Sequence, residues 1–243
     1  MSDTEIVRHD TDDELAAAVA ARLSARLAEV QAEGRVPQIG LTGGTIAVSI
    51  HKAVVQASKD AGVDWSKVVV WWGDERFLPA DDPERNARQA RDALLDHVPV
   101  DESLVHEIPA SDSGCADVDV AAASYAQELR EHGAGEFDVL MLGVGPDGHC
   151  ASLFPGFPQL DIDDRIAVAV TDSPKPPPHR VSLTFPALNR SREVWFVAAG
   201  EGKADAVAKA LAPDADVHET PASGVHGSHS TTWFLDPGSA SKL

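Results

Sequence analysis

Residues 137–149 read FDVLMLGVGPDGH, an apolar run that passes without a break into a glycine-rich loop. A continuous apolar run of this length is the pattern of a strand covered on both faces, and such strands belong to parallel sheets. In open α/β sheets, ligands bind in the crevice outside the carboxyl ends of the strands, so the loop after this run is the first place to look for chemistry.

Working outward, the same grammar repeats. Residues 67–72 are β-branched and aromatic and end at Gly73-Asp74-Glu75-Arg76, and residues 39–41 end at Thr42-Gly43-Gly44-Thr45 before a helical stretch over 46–61. Near the N-terminus, Thr11 and Glu14 have the spacing of a capping box, and Leu15, Val19, Leu23, Leu27 and Val30 then form one apolar stripe. Further helices are predicted over 84–97, 118–132 and 203–211, and further strands over 166–170, 181–184, 194–198 and 231–235. This alternation predicts a doubly wound, mostly parallel sheet with helices on both faces. No repeat or long linker divides residues 1–243, so a single α/β domain is expected; the biased segments are 174–178, rich in proline, and 223–230, rich in Gly, Ser and His.

Composition narrows the partners. With 20 basic against 39 acidic residues the formal charge is −19, so phosphate backbones and anionic lipid surfaces would meet repulsion; neither nucleic acid nor membrane is an expected partner. The longest apolar runs fall far short of the ~18 residues a spanning helix needs. The first 13 residues carry Asp3, Glu5, Asp10, Asp12 and Asp13 where a secretory signal would be basic and then apolar, and Cys115 and Cys150 are the only cysteines. Both features point to the cytoplasm, although Ser241-Lys242-Leu243 also matches a peroxisomal address.

Three loops are chemically loaded. Thr42, Gly43, Gly44 and Thr45 place two hydroxyls and two glycines at a helix start, where backbone N–H groups and the helix dipole hold phosphate; the plain alternative is a strand-to-helix turn. Asp74, Glu75 and Arg76 follow a buried strand, where charges are costly unless paired or useful. Either an internal carboxylate–arginine pair forms there, or Arg76 clamps an anion while a carboxylate faces substrate hydroxyls. Residues 143–148 match G-x-G-x-x-G, yet Pro155 and Pro158 interrupt the helix that a dinucleotide fingerprint must open, and the acidic pair Asp163-Asp164 precedes the next strand. The glycines instead bring Asp147 and His149 close to a ligand, and His149 is the candidate general base.

The remaining signals are weaker. No G-x-S-x-G elbow is present, and His149 and Cys150 are neighbours whose side chains diverge, so neither a serine nor a cysteine nucleophile is expected and Cys150 is read as packing. His226 and His229 lack carboxylate or cysteine neighbours, and no metal is predicted. Arg180 follows Pro176-Pro177-Pro178-His179, a stiff segment that presents it at fixed reach, and Lys203 follows Gly200-Glu201-Gly202 beyond a strand. On so acidic a chain, an anionic substrate must be captured by a local cluster of this kind.

Thr42-Gly43-Gly44-Thr45, Trp72-Gly73-Asp74-Glu75-Arg76 and the run from Gly143 through His149 to Gly156, in that order, resemble the 6-phosphogluconolactonase family, as do Arg180-Val181-Ser182-Leu183-Thr184 and the Gly200–Lys203 turn. The resemblance implies a Rossmann-like fold shared with glucosamine-6-phosphate deaminase and ribose-5-phosphate isomerase. It also implies hydrolysis of 6-phospho-D-glucono-1,5-lactone to 6-phosphogluconate, the second step of the oxidative pentose phosphate pathway; separately, no cofactor is expected, and the chain is expected to be a monomer or weak oligomer. By position, His149 would activate water, Asp147 would orient the base or the sugar, and Asp74 would face sugar hydroxyls. Arg76, Arg180 and Lys203, with Gly43 and Gly44, would hold the phosphate or the developing oxyanion. Thr45 stands where the family commonly has serine, and Cys150 where it often has threonine. A sugar-phosphate isomerase or deaminase of the same fold, and a non-catalytic sugar-phosphate sensor, are the competing expectations.

Overall fold

The structure is a computed structural model and describes residues 3–243. Its centre is a parallel sheet of six strands, in the order β1 (Asp3–Arg8), β9 (Ser230–Leu235), β8 (Ser191–Ala198), β5 (Phe137–Gly143), β2 (Gln38–Leu41) and β3 (Val69–Trp72). The apolar runs become its interior, since β2 and β3 are buried throughout and β5 along all but its last residue.

With the right-handed crossovers that parallel strands favour, α1 (Asp12–Ala32) and α2 (Thr45–Asp60) lie together on one face, packed on each other, and α4 (Val118–His132) lies on the other. At the start of α1, Thr11 Oγ1 accepts the Glu14 N–H (3.1 Å), while Glu14 reaches back to the N–H of Asp10 (3.1 Å) instead of that of Thr11. On the opposite face, the Tyr125 hydroxyl of α4 accepts the Trp72 N–H (2.9 Å) and pins the helix to the end of β3. No helix among the described residues is long and apolar enough to cross a membrane.

Two sequence expectations are corrected, and one element goes beyond them. Asp74–Arg76 is a strand, β4, not a loop, and it joins β7 (Arg180–Leu183) and β6 (Ala167–Val170) in a small antiparallel sheet against α4. The helix expected over 84–97 is shorter: α3 spans Asn86–Ala93, Leu94 leaves helical geometry, and a 3-10 turn covers Leu95–His97. It starts at Asn86 because the Glu75 carboxylate caps the amides of Asn86 (2.7 Å) and Ala87 (2.8 Å). The N-terminal acidic segment, of which Met1 and Ser2 lie outside the described residues, contributes the edge strand β1, paired in parallel with β9.

Of the remaining helices, α5 (Phe185–Leu188) joins β7 to β8, and α6 (Ala204–Ala210), preceded by a 3-10 turn at Glu201–Lys203, lies between β8 and β9. From β2 the chain moves outward to β3; from β5 it moves the other way, to β8 and β9. The strand order reverses between β2 and β5, where the crevice outside the carboxyl ends opens.

Candidate active site

A cleft of about 640 Å³ occupies that crevice. Every residue singled out in the sequence as catalytic or phosphate-binding, apart from Asp147, lines it: Thr42, Gly43, Gly44, Thr45, Asp74, Arg76, His149, Arg180 and Lys203. Asp147 touches it through His149. Asp12, Asn86, Ala151 and Lys175 line it as well.

Strand alternation sorts the charges of β4. Successive side chains point to opposite faces, so Asp74 and Arg76 turn to the cleft while Glu75 turns inward. There Glu75 accepts three backbone N–H groups, from Arg76, Asn86 and Ala87, and lies 3.7 Å from the buried Arg85 guanidinium. The internal ion pair expected for this segment therefore exists, with Arg85 as its cation. Asp74 is held from two sides: Ser152 Oγ donates to its Oδ2 (2.6 Å) and Asn86 Nδ2 approaches its Oδ1 (3.3 Å). Ala151, just before that serine, has φ of 48°, a left-handed conformation that costs a non-glycine residue about 1–2 kcal/mol. The strain sits where the chain must aim Ser152 at Asp74.

Residues 143–149 form the opposite wall. The Gly145 N–H donates to the His149 carbonyl (2.8 Å) and the Gly148 N–H to the Gly145 carbonyl (2.9 Å), which folds the loop back so that Asp147 Oδ1 meets His149 Nδ1 at 2.6 Å. A Cβ on Gly145 would collide with both the imidazole and the Asp147 carboxylate, so glycine is required for this pair to form. With Nδ1 engaged, Nε2 makes no hydrogen bond among the described residues, is not sealed from solvent, and belongs to the side chain that faces the cleft. Burial alone would raise the Asp147 carboxyl, but hydrogen bonds from His149 and Lys175 outweigh it and hold the group well below the usual carboxylate range.

The cleft's cations fall into two groups. Arg76 and Arg180 are cross-strand partners on β4 and β7, beside Asp74. Arg76 donates through Nη1 to the Glu84 carbonyl and leaves its buried Nε unpaired. Arg180 is only 5% exposed, and its use differs from expectation: instead of being presented by the prolines, it reaches back to them, Nε to the Pro177 carbonyl (3.2 Å) and Nη2 to the carbonyls of Pro176 (3.0 Å) and Lys175 (3.3 Å). Lys203 and Lys175 form the second group, near Asp147; burial, then the Lys175 charge, pushes Lys203 down, partly offset by Asp147. Lys203 makes no hydrogen bond or ion pair through its side chain among the described residues.

The glycine turn behaves as a helix start with unused donors. Gly44 has φ of 101°, and its own N–H is taken by Gln89 Oε1 (3.1 Å). The first intrahelical bond of α2 runs from Val48 to Gly44 and no side chain caps the helix, so the amides of Thr45, Ile46 and Ala47 face the cleft end without helical partners. Cys150 is fully buried, with its thiol pushed well up by burial and by the Asp74 charge, in accord with packing. His229 of the Gly/Ser/His-rich segment lies against Arg192 Nη2 (3.0 Å), away from the cleft.

Sequence reasoning missed Lys175, Ser152 and Asn86 as site residues. Lys175 was visible only as the one cation inside the proline segment, and nothing local tied it to Asp147.

Residues 10–233 match the family model described as glucosamine-6-phosphate isomerases/6-phosphogluconolactonase. Over an alignment of 252 residues the chain is 47% identical to 6-phosphogluconolactonase of Streptomyces coelicolor, covering 100% of this chain and 96% of that one. It is 39% identical to the human 6-phosphogluconolactonase, covering 96% and 91%. Among solved structures, 6-phosphogluconolactonase from Trypanosoma brucei superposes with a TM-score of 0.83 at 25% identity, covering all of both chains. A monomeric glucosamine-6-phosphate deaminase has the same fold, with a TM-score of 0.82 at 20% identity over 98% of this chain and 100% of that one.

Proposed function

The chain belongs to the glucosamine-6-phosphate isomerase/6-phosphogluconolactonase family, and from that premise we infer that it hydrolyses 6-phospho-D-glucono-1,5-lactone to 6-phosphogluconate. The observation that carries this reading is the His149–Asp147 pair, with Nε2 open to a cleft lined by four cations on a chain of charge −19. A phosphorylated, uncharged ring fits that combination, because the anion is captured locally while the chain as a whole repels it.

In the reaction, His149 Nε2 takes a proton from water as the oxygen attacks the lactone carbonyl carbon. The tetrahedral intermediate collapses with cleavage of the bond to the ring oxygen, which receives the proton from the imidazolium and leaves as the C5 hydroxyl. Asp147 holds the ring through Nδ1 and stabilises its charged form. Asp74, fixed by Ser152 and Asn86, accepts from sugar hydroxyls. Arg76, Arg180 and Lys203, with Thr42, Gly43, Gly44 and the amides from Thr45 onward, share the phosphate and the developing oxyanion. A lactone is already electrophilic, so positioning and one base contributing ~10²–10⁴-fold suffice without a covalent intermediate, a metal or a cofactor.

Residues 1–243 are read as one domain, since the cleft draws on positions from Asp12 to Lys203. A cytoplasmic monomer or weak oligomer that engages neither nucleic acid nor membrane completes the reading. The test is the rate of acid release from freshly generated 6-phosphogluconolactone, corrected for spontaneous hydrolysis, run beside ammonia release from glucosamine 6-phosphate. Acceleration of the first alone is expected. Ammonia release without lactone hydrolysis would transfer the chain to the deaminase branch, and activity on neither would favour a sensor.

A further inference from the structure

Lys175 lies in the segment between β6 and β7, far in sequence from the base loop, yet its Nζ is 2.9 Å from Asp147 Oδ1 and 3.2 Å from His149 Nδ1. Its backbone is fastened on both sides. Ser173 Oγ donates to the Lys175 carbonyl (2.8 Å), and the Lys175 N–H approaches the same hydroxyl (3.3 Å). The half-exposed lysine is therefore delivered to the carboxylate by a segment that Arg180, itself in the cleft, clasps through three consecutive carbonyls.

We propose that Lys175 is a positioning residue that fixes Asp147 as the acceptor of the His149 Nδ1–H, leaving Nε2 as the free base. The inference rests on the reading of His149 as base. A 2.6 Å contact between Nδ1 and a carboxylate oxygen requires a proton between them, since two acceptors at that distance repel. Nδ1 therefore donates to Asp147, and the lysine, which has donors only, shares that carboxylate oxygen instead of bonding to the ring. Its charge keeps Asp147 ionised and hence an acceptor.

The other charged groups around His149 lie farther from the ring or behind another group. Lys203, at the end of the 3-10 turn after Gly200, lies near Lys175 and Asp147. Arg180 stands behind the Phe154 ring, its Cζ 5.7 Å from that ring's centre, while His149 packs on Phe154 at 4.6 Å. Asp74 belongs to the opposite wall, held by Ser152 and Asn86. Lys175 is thus the cation that bears directly on the pair. Because Arg180 clasps its segment, an anion that engages Arg180 also steadies Lys175, which links substrate capture to the state of the base.

The test compares the wild type, Lys175→Met and Lys175→Arg in two measurements. Nitrogen-15 NMR of the substrate-free protein, with His149→Ala used to assign the ring, reads the tautomer. Steady-state kinetics of lactone hydrolysis separate kcat from KM. The wild type is expected to carry its proton on Nδ1. Lys175→Met is expected to release Asp147 from the ring, to populate the Nε2–H form, and to lower kcat about tenfold with KM changed by no more than a few-fold. Lys175→Arg is expected to restore both. An unchanged tautomer and kcat in Lys175→Met, with any loss confined to a higher KM, would overturn the proposal and leave Lys175 as a phosphate contact. Should His149→Ala keep the wild-type rate, the base reading itself fails, and the NMR arm still reports whether Lys175 acts on the ring.

Discussion

His51 offers a calculable test of how the helix behind the phosphate turn responds to acid. It lies on α2 under two turns from Thr45, is fully buried, and neither ring nitrogen has a hydrogen-bond partner among the described residues. Burial pushes its pKa down from the ordinary 6.5 to about 4. Between those values the unfolded chain binds a proton that the folded chain refuses, so stability is fully present above pH 6.5 and is lost as pH falls toward 4. Going from pH 7.5 to pH 5, the unfolded state gains about 2 kcal/mol from this group, and the limiting loss below pH 4 is about 3 kcal/mol. The perturbation is His51→Leu. The assay is urea unfolding followed by tryptophan fluorescence at both pH values. The variant is expected to lose about 2 kcal/mol less than the wild type over that interval, and to match or exceed it at pH 7.5, because no buried nitrogen is left unpaired. The same pH-dependent loss in both proteins would refute the reasoning, since every other titrating group is common to the two.

Three further outcomes follow from the cleft. Gly145→Ala should fold with near-normal stability by urea unfolding yet lose at least ~100-fold in kcat/KM, because the Cβ displaces the imidazole and the Asp147 carboxylate together; near-wild-type activity would contradict the geometry. Ser152→Ala removes the 2.6 Å bond to Asp74, a hydrogen bond to a charged group worth about 1.5–3 kcal/mol, so kcat/KM should fall about 10- to 100-fold with the acid limb unmoved. Iodoacetamide should modify the partly exposed Cys115 and spare the buried Cys150, leaving activity intact; inactivation that 6-phosphogluconate prevents would place a reactive thiol in the site.

What the sequence disclosed tracks how local each signal is. The strands β3 and β5 announce themselves because both of their faces are buried, which makes the apolar run continuous. The edge strand β1 does not, since Thr4 and Glu5 are exposed and Ile6 is 42% exposed; its place comes from backbone pairing with β9. Asp74–Arg76 was invisible as a strand for a related reason. Three consecutive charges look like a loop unless the alternation that buries Glu75 and exposes its neighbours to the cleft is known. Within the site, the Asp147–His149 pair was legible because a glycine loop and a two-residue spacing define it. Lys175 was not, because its partners are more than 25 residues away in sequence and the turn through Pro176 and Pro177 decides where its side chain arrives. Arg180 was found for the right position and the wrong reason: it secures the proline segment as well as lining the cleft.

The central claim is that His149 is the base, with the cations serving capture and charge stabilisation. The most direct measurement is the initial rate of 6-phosphogluconolactone hydrolysis by His149→Ala against wild type at near-neutral pH, with spontaneous hydrolysis subtracted and 6-phosphogluconate affinity measured on the same preparations. The account predicts a loss of at least ~100-fold in rate with product affinity changed by no more than a few-fold. A variant that binds product and still hydrolyses the lactone at the wild-type rate would contradict it.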